Sequence, residues 1–244
     1  MTGVDAQIQS LQRALQAKDQ ALSDFTYTVS HDLKANLRHI KAYLGILRDE
    51  MGDALQPEWL GYVNVVDSAA HKMQQQIDGL MTLAQMDQHL AAAEPLPMAT
   101  IIDEARQGLT DLQTGRHIQW HMAPDFPVLL GDSSMVRQVW QHLLHNALKF
   151  TRSCDVANIT LGSELDELGQ CWCFVQDNGV GFNPSQSTKL FKVFQKLQPG
   201  DEGLGLGLGL ALTRKLVERQ GGQVKAKSLP EQGSWFGFSL PAGV

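Results

Sequence analysis

The chain has 244 residues, 26 of them acidic against 20 basic for a formal net charge of −6, and 43% are apolar. That length holds one large domain or two small ones with real cores, and the acidic balance leaves no basic surface for nucleic acid. Three cysteines, Cys154, Cys171 and Cys173, are too few for a disulfide framework, and their odd number points to a reducing compartment, the cytoplasm. No leader of basic then apolar residues opens the chain, and no apolar run approaches the ~18 residues of a membrane span.

Residues 4–92 contain a single proline, Pro57, while Pro95 and Pro97 open a mixed, glycine-rich region, so a boundary is expected near residue 95. In the first part Ile8, Leu11, Leu15, Leu22, Phe25 and Val29 form a heptad seam, with Lys18 in its one polar position. This spacing predicts a parallel two-stranded coiled coil that includes residues 1–22. Leu33, Leu37, Ile40, Leu44, Leu47 and Met51 continue the pattern, but successive steps of four residues from Phe25 to Leu37 make the seam slip. Gly52–Gln56 ends the helix and Pro57 suits the first turn of the next. Leu60, Val63, Val66, Ala70, Met73, Ile77, Leu80 and Ala84 give that second helix its stripe. A helical hairpin alone leaves such stripes in water, whereas two hairpins make a four-helix bundle, so residues 23–92 are expected to form a homodimer.

Beyond Pro97, Met98–Leu112 and Ser134–Phe150 read as helices. Ile118–Met122, Asn158–Leu161, Cys171–Gln176, Gln223–Ser228 and Trp235–Leu240 read as strands. This predicts an α+β layer, a sheet with helices on one face. The last two strands form an antiparallel hairpin across a loose loop, Glu231-Gln232-Gly233.

Four segments carry chemistry. In Ser30-His31-Asp32-Leu33, His31 lies off the seam, where a neutral imidazole is a nucleophile and the neighbouring carboxylate fixes its tautomer. The bland reading is a solvent-facing histidine on a polar helix face. In Asp177-Asn178-Gly179-Val180-Gly181-Phe182, the glycines allow close backbone approach and Asp177 can accept a hydrogen bond from an exocyclic amine, although a tight turn would need the same residues. The run Gly203–Leu212 sets glycines before a helix, as a phosphate nest requires, or forms a flexible connector. No strand precedes it and no Gly-x-x-x-x-Gly-Lys-Ser/Thr occurs. On Gln138–Thr151, the stripe of Val139, Leu143, Leu144, Ala147 and Phe150 leaves His142, Asn146 and Lys149 on another side, suited to Mg²⁺ and phosphate. His142 and His145 lack a third metal ligand, and Cys171 and Cys173 read as small core residues.

Taken in order, FTYTVSHDLKANLR, QVWQHLLHNALKFT, DNGVGF, KLFKVFQKL and GLGLGLAL resemble the H, N, G1, F and G2 boxes of the sensor histidine kinases of two-component signalling. The SHDL and KLFKVFQKL forms look most like phytochrome-type kinases. The resemblance implies a dimerisation and histidine-phosphotransfer hairpin over 23–92 and a Bergerat-type ATP-binding α/β sandwich over 97–244. His31 would accept the phosphoryl group, with Asp32 polarising it. Asn146 would ligate Mg²⁺, with His142 as a further candidate and Lys149 near the phosphates. Asp177 would bind the adenine amine, and Gly179 and Gly181 would let the backbone close around the base. Gly205, Gly207, Leu208 and Gly209 would cradle the phosphates. Residues 183–204 would be a mobile lid anchored by Phe191 and Phe194, with Lys189 or Lys196 reaching phosphate. The phosphoryl group would pass to an aspartate of a response-regulator receiver domain.

Three positions depart from the family pattern. Asn36 replaces the proline expected five residues after the histidine, so a helix kink is weakened or absent. Ala35 replaces the polar residue of relatives that dephosphorylate their regulators, which predicts weak phosphatase activity. His142 stands where the family has Asn. Two other readings stay open: a gyrase- or Hsp90-like ATPase, in which the position of His142 would hold a glutamate, and a degenerate kinase acting as a dimeric scaffold. Residue 1 falls near the start of the coiled-coil helix, so the stimulus is expected to arrive through a separate sensor, either another segment or a partner.

Overall fold

A computed structural model describes residues 3–52, 56–85, 93–195 and 207–243. The chain divides into two compact units, Met1–His89 and Leu90–Val244.

The first unit is a helical hairpin, α1 (Gly3–Met51) and α2 (Pro57–Gln85). Gly52, with φ at +41°, ends α1, and Pro57 opens α2, where its missing N–H costs nothing. The helices meet along two rows of heptad spacing. Ser23, Ser30, Leu37 and Leu44 line α1; Val63, Ala70, Ile77 and Ala84 line α2. The rows run antiparallel, with the Ser23 hydroxyl donating to the Ala84 carbonyl (2.8 Å) and Leu37 packing with Ala70 and Ile77. The stripe read from sequence is therefore split. Leu37, Val63, Ala70, Ile77 and Ala84 are buried, while Leu22, Phe25, Val29, Leu33, Ile40, Val66 and Met73 stay exposed, Leu22 and Phe25 to 64% and 66%. The side chain of Leu15 lies outside the described residues. The helix α1 is unbroken from Gly3 through Asn36, so the segment 1–22 is continuous with the hairpin over its described part.

The second unit follows in the order β1 (Glu94–Pro95), α3 (Met98–Gln107), β2 (Ile118–Met122), β3 (Leu130–Gly131), α4 (Ser133–Phe150), β4 (Ala157–Leu165), β5 (Cys171–Asp177), α5 (Gly209–Glu218), β6 (Gln223–Ser228) and β7 (Ser234–Ser239). Five strands form one sheet in the order β2-β4-β5-β7-β6, with β2 parallel to β4 and the other pairs antiparallel. On its inner face Ile159, Leu161, Cys173, Val175, Phe236 and Phe238 meet the helices. Trp140 of α4 is fully buried there, 5.3 Å from the Phe238 ring in an edge-to-face pair, with its indole N–H 3.1 Å from the Met98 sulfur. On the outer face Trp172, Phe174 and Trp235 cluster under the ammonium groups of Lys225 and Lys227, which lie 4.0 and 4.5 Å from the Trp172 and Trp235 rings.

Two expectations need correction, and one strand pair went unread. The helix expected over Met98–Leu112 stops at Gln107, and a 3-10 turn covers Thr110–Leu112. Gly108 weakens helix propagation there, and the Gln113 side chain occupies the Arg106 carbonyl at 3.1 Å. The strand expected over Asn158–Leu161 extends to Leu165. The two-residue pair β1 and β3 was not anticipated, being too short to show any period. Cys173 is a core residue, its thiol pushed up to about 12 chiefly by burial. Among the described residues no helix is long and apolar enough to cross a membrane.

Candidate phosphoacceptor and nucleotide sites

On α1, His31 projects outward with 63% of its side chain exposed, while its neighbour Ser30 is buried in the row that meets α2. The imidazole Nδ1 faces Asp32 Oδ1 at 3.4 Å, and in the tautomer that carries its proton on Nδ1 the Nε2 lone pair is free. Lys34 Nζ reaches Asp78 of α2 at 2.6 Å and holds that carboxyl below its usual range by hydrogen bonding. Ala35 presents only a methyl group. Asn36 is exposed on an uninterrupted helix.

In the second unit, Asp132 caps α4 by accepting from the Ser134 and Met135 amides at 2.9 and 3.1 Å. The helix buries Val139, Leu143, Leu144 and Ala147 and turns His142, Asn146 and Lys149 to a partly open side. The His142 ring is 3.5 Å from where a Cβ on Gly209 would stand, so the histidine lies at the N-terminus of α5. Burial, with His145 nearby, depresses its pKa to about 4 and keeps it neutral. His145 is also lowered by burial. The Lys149 ammonium lies 4.3 Å over the Phe150 ring.

Asp177 ends β5 on the inner face and is 4% exposed. Burial pushes its pKa up to about 6, against hydrogen bonds donated by the amides of Gly179 (2.8 Å) and Ser234. The adjacent Asn178 has a bracing role instead, accepting from Asn158 N–H at 2.8 Å and donating to the Val156 carbonyl at 3.0 Å. The loop crosses the end of α4 closely, since a Cβ on Gly179 would lie 2.5 Å from the Phe150 carbonyl. Of the glycine run, Gly207 has φ at +70°, Leu208 is buried and Gly209 starts α5. Phe194 donates to the Gly207 carbonyl at 3.0 Å, and Lys189 is exposed. Lys196, Gly205 and residues 196–204 of the expected lid lie outside the described residues.

Two family matches coincide with these two sites. Residues 21–89 match the His Kinase A (phospho-acceptor) domain, and residues 131–244 match the histidine kinase-, DNA gyrase B- and HSP90-like ATPases. The chain belongs to the sensor histidine kinases. It is 30% identical over 240 residues to the phytochrome-like protein Cph1 of Synechocystis sp., covering 97% of this chain and 31% of that protein. It is 29% identical over 231 residues to the methanogenesis regulatory histidine kinase FilI of Methanothrix harundinacea, covering 93% and 25%. The chain thus spans about a third or less of the length of these curated relatives. In fold it is similar to full-length ShkA crystallised with AMPPNP (TM-score 0.62, 23% identity, 91% of this chain and 46% of that one). It also resembles the histidine kinase AdeS of Acinetobacter baumannii (TM-score 0.56, 16% identity, 86% and 98%).

This histidine kinase region therefore joins a helical phosphoacceptor hairpin to an α/β ATP-binding unit. Sequence reasoning missed several residues of the nucleotide-site framework. Arg116 clasps the end of α4, donating to the carbonyls of Leu148 (2.6 Å) and Thr151 (2.9 Å) and to the Thr151 hydroxyl (3.0 Å). Nor is the β6–β7 loop loose, because Glu231 donates to the Val180 carbonyl at 2.8 Å and Phe182 donates to the Ser228 hydroxyl at 2.8 Å. The sequence signal for that loop, Glu231-Gln232-Gly233, marks a turn but not these long-range backbone bonds.

Proposed function

We propose that this chain transfers the terminal phosphoryl group of ATP to His31 and from there to an aspartate of a response-regulator receiver domain. The observation that carries this reading is the pair of matches on one chain: an exposed histidine with its Nδ1 toward a carboxylate, on the phosphoacceptor domain, and a buried aspartate beside close-approach glycines, on the ATP-binding domain. In the first step Nε2 of His31 bonds to the terminal phosphorus as the bond to ADP breaks and ADP leaves. Asp32 accepts the Nδ1–H bond and stabilises the positive charge that grows on the ring. In the second step the N–P bond breaks and a receiver carboxylate takes the phosphoryl group.

At the nucleotide, Asp177 accepts the adenine amine, Gly179 and Gly181 permit the backbone to approach the base, and the amides at Gly207, Leu208 and Gly209 face phosphate, helped by Lys149 and Lys189; Gly205 and Lys196, which the family pattern adds to this set, lie outside the described residues. Asn146 offers a hard amide oxygen on a partly open turn, and among the described residues no three His, Cys, Asp or Glu side chains form a metal cage. That donor set fits Mg²⁺ held mostly by phosphate and water, with Asn146 as its protein ligand. His142 is a softer imidazole donor and the weaker candidate. The bound ion would neutralise phosphate charge and orient the terminal group.

The exposed stripe from Leu22 to Met73 supports a homodimer through residues 23–92, and three free thiols suit the cytoplasm. Incubation with γ-labelled ATP and Mg²⁺ tests the reading. Acid-labile, base-stable label should appear on the chain, vanish in His31→Gln and move to a receiver domain. Steady phosphate release without label would favour an ATPase, and neither signal would favour a scaffold.

A further inference from the structure

The loop that leaves β6 and returns as β7 wraps around the loop that follows Asp177, and one hydroxyl joins them. Ser228 Oγ accepts the Phe182 amide at 2.8 Å and donates to the Gly233 carbonyl at 2.5 Å. One atom thus satisfies a backbone donor of the first loop and a backbone acceptor of the second. Glu231 adds a backbone bond to the Val180 carbonyl at 2.8 Å.

The two loops have no slack. Gly181 (φ +63°) lies so close to Leu229 that a Cβ would stand 2.1 Å from the Leu229 carbonyl oxygen. Gly233 (φ +81°) lies equally close to the Asp177 carbonyl, where a Cβ would stand at 1.9 Å. Directly after Gly233, Ser234 pairs with Asp177 across the sheet and donates its amide to the Asp177 carboxylate. A shift of Gly233 is therefore passed to Asp177 through its backbone carbonyl and through the Ser234 amide, while the Gly179 amide holds the carboxylate at 2.8 Å from the other loop.

We propose that Ser228 is a positioning residue of the nucleotide site, a latch that fixes the Asp177 carboxylate by tying the Gly179–Phe182 loop to the Leu229–Gly233 loop. The proposal rests on the ATP reading above. Removing the hydroxyl leaves the Phe182 N–H and the Gly233 carbonyl without their partner, and unpaired buried backbone groups are costly enough to move a loop. Threonine keeps the hydroxyl and should keep the latch.

The test is a double-mutant cycle on the full chain, read as ADP affinity by calorimetry, with nucleotide-free melting followed in parallel. Ser228→Ala should weaken ADP binding about tenfold, the scale of one lost buried hydrogen bond. Ser228→Thr should restore it to within about twofold. In an Asp177→Asn background the same Ser228→Ala change should cost less than about twofold, because a latch that acts through Asp177 has nothing left to position. A purely structural role would weaken binding equally in both backgrounds, and that result overturns the proposal. So does ADP affinity unchanged by Ser228→Ala, or a Thr variant as weak as the Ala variant. If the native chain fails to bind ADP, the ATP reading falls and the latch with it, which separates the two failures.

Discussion

The two units meet the same demand, burial of apolar surface, in opposite ways. The α/β unit closes its core on itself: Trp140, Ile102, Leu144, Leu161 and Phe238 have almost no surface left. The hairpin buries one narrow row per helix and leaves Leu22, Phe25, Leu33, Ile40, Val66 and Met73 in water. Two helices cannot enclose a core, because each contact row uses only part of a helix circumference. A unit complete alone can act as a module, whereas the hairpin leaves an apolar stripe that the second copy proposed above would cover. His31 sits on this open unit with 63% of its side chain exposed.

Several perturbations would break or sharpen this contrast. The largest effect is expected from Trp140→Ala, which should lower the unfolding free energy of the α/β unit by about 3–5 kcal/mol in a denaturant titration, the cost of emptying a core aromatic site. Leu33→Asp, on the exposed stripe, should leave that transition in place and weaken self-association about a hundredfold by sedimentation, since it sets a charge in the proposed dimer seam. A dimer unaffected by this change would move the interface elsewhere.

Asp177 shows a functional group at odds with stability. Its pKa is raised to about 6, so protonated Asp177 favours the folded state. That contribution is complete below the usual carboxylate range near 3.8 and is lost as pH rises through about 6. Asp177→Asn should therefore raise nucleotide-free stability at pH 8, by about 1–2 kcal/mol on the scale of a relieved buried charge, while weakening ADP binding about a hundredfold, which calorimetry still resolves. In the native chain ADP affinity should fall as pH drops below about 6.

Smaller effects belong to the hairpin surface. Lys34→Ala removes a half-exposed ion pair and should cost less than about 1 kcal/mol. Because Lys34 lowers the Asp78 pKa, its contribution should be present above the ordinary carboxylate range and fade as pH falls through it. The smallest expected change is in the receiver: with Ala35 unable to hold a water, adding this chain and ADP should scarcely shorten the lifetime of receiver phosphate.

How much the sequence revealed follows from the range of each signal. Heptad spacing exposed both long helices because their apolar residues recur over many turns, yet it could not divide Leu37 from Leu33, since both obey the same period and only the partner helix decides between them. A continuous apolar run marked β5, and alternation marked Gln223–Ser228, where every second side chain is half-buried. Asp177 and Gly179 were legible because a strand followed at once by a glycine pair is a local pattern. Arg116 and Ser228 were not, since their partners, Thr151 and Phe182, lie 35 and 46 residues away and are mostly backbone groups, which leave no mark in side-chain pattern.

The most direct measurement separates the units. Residues 1–92 and 93–244 are purified apart, mixed with γ-labelled ATP and Mg²⁺, and the acid-labile label on each piece is counted. The account predicts label on the hairpin piece only when both are present, and none when that piece carries His31→Gln or the other carries Asp177→Asn. Label on the ATP-binding piece itself, or on a hairpin lacking His31, would contradict it.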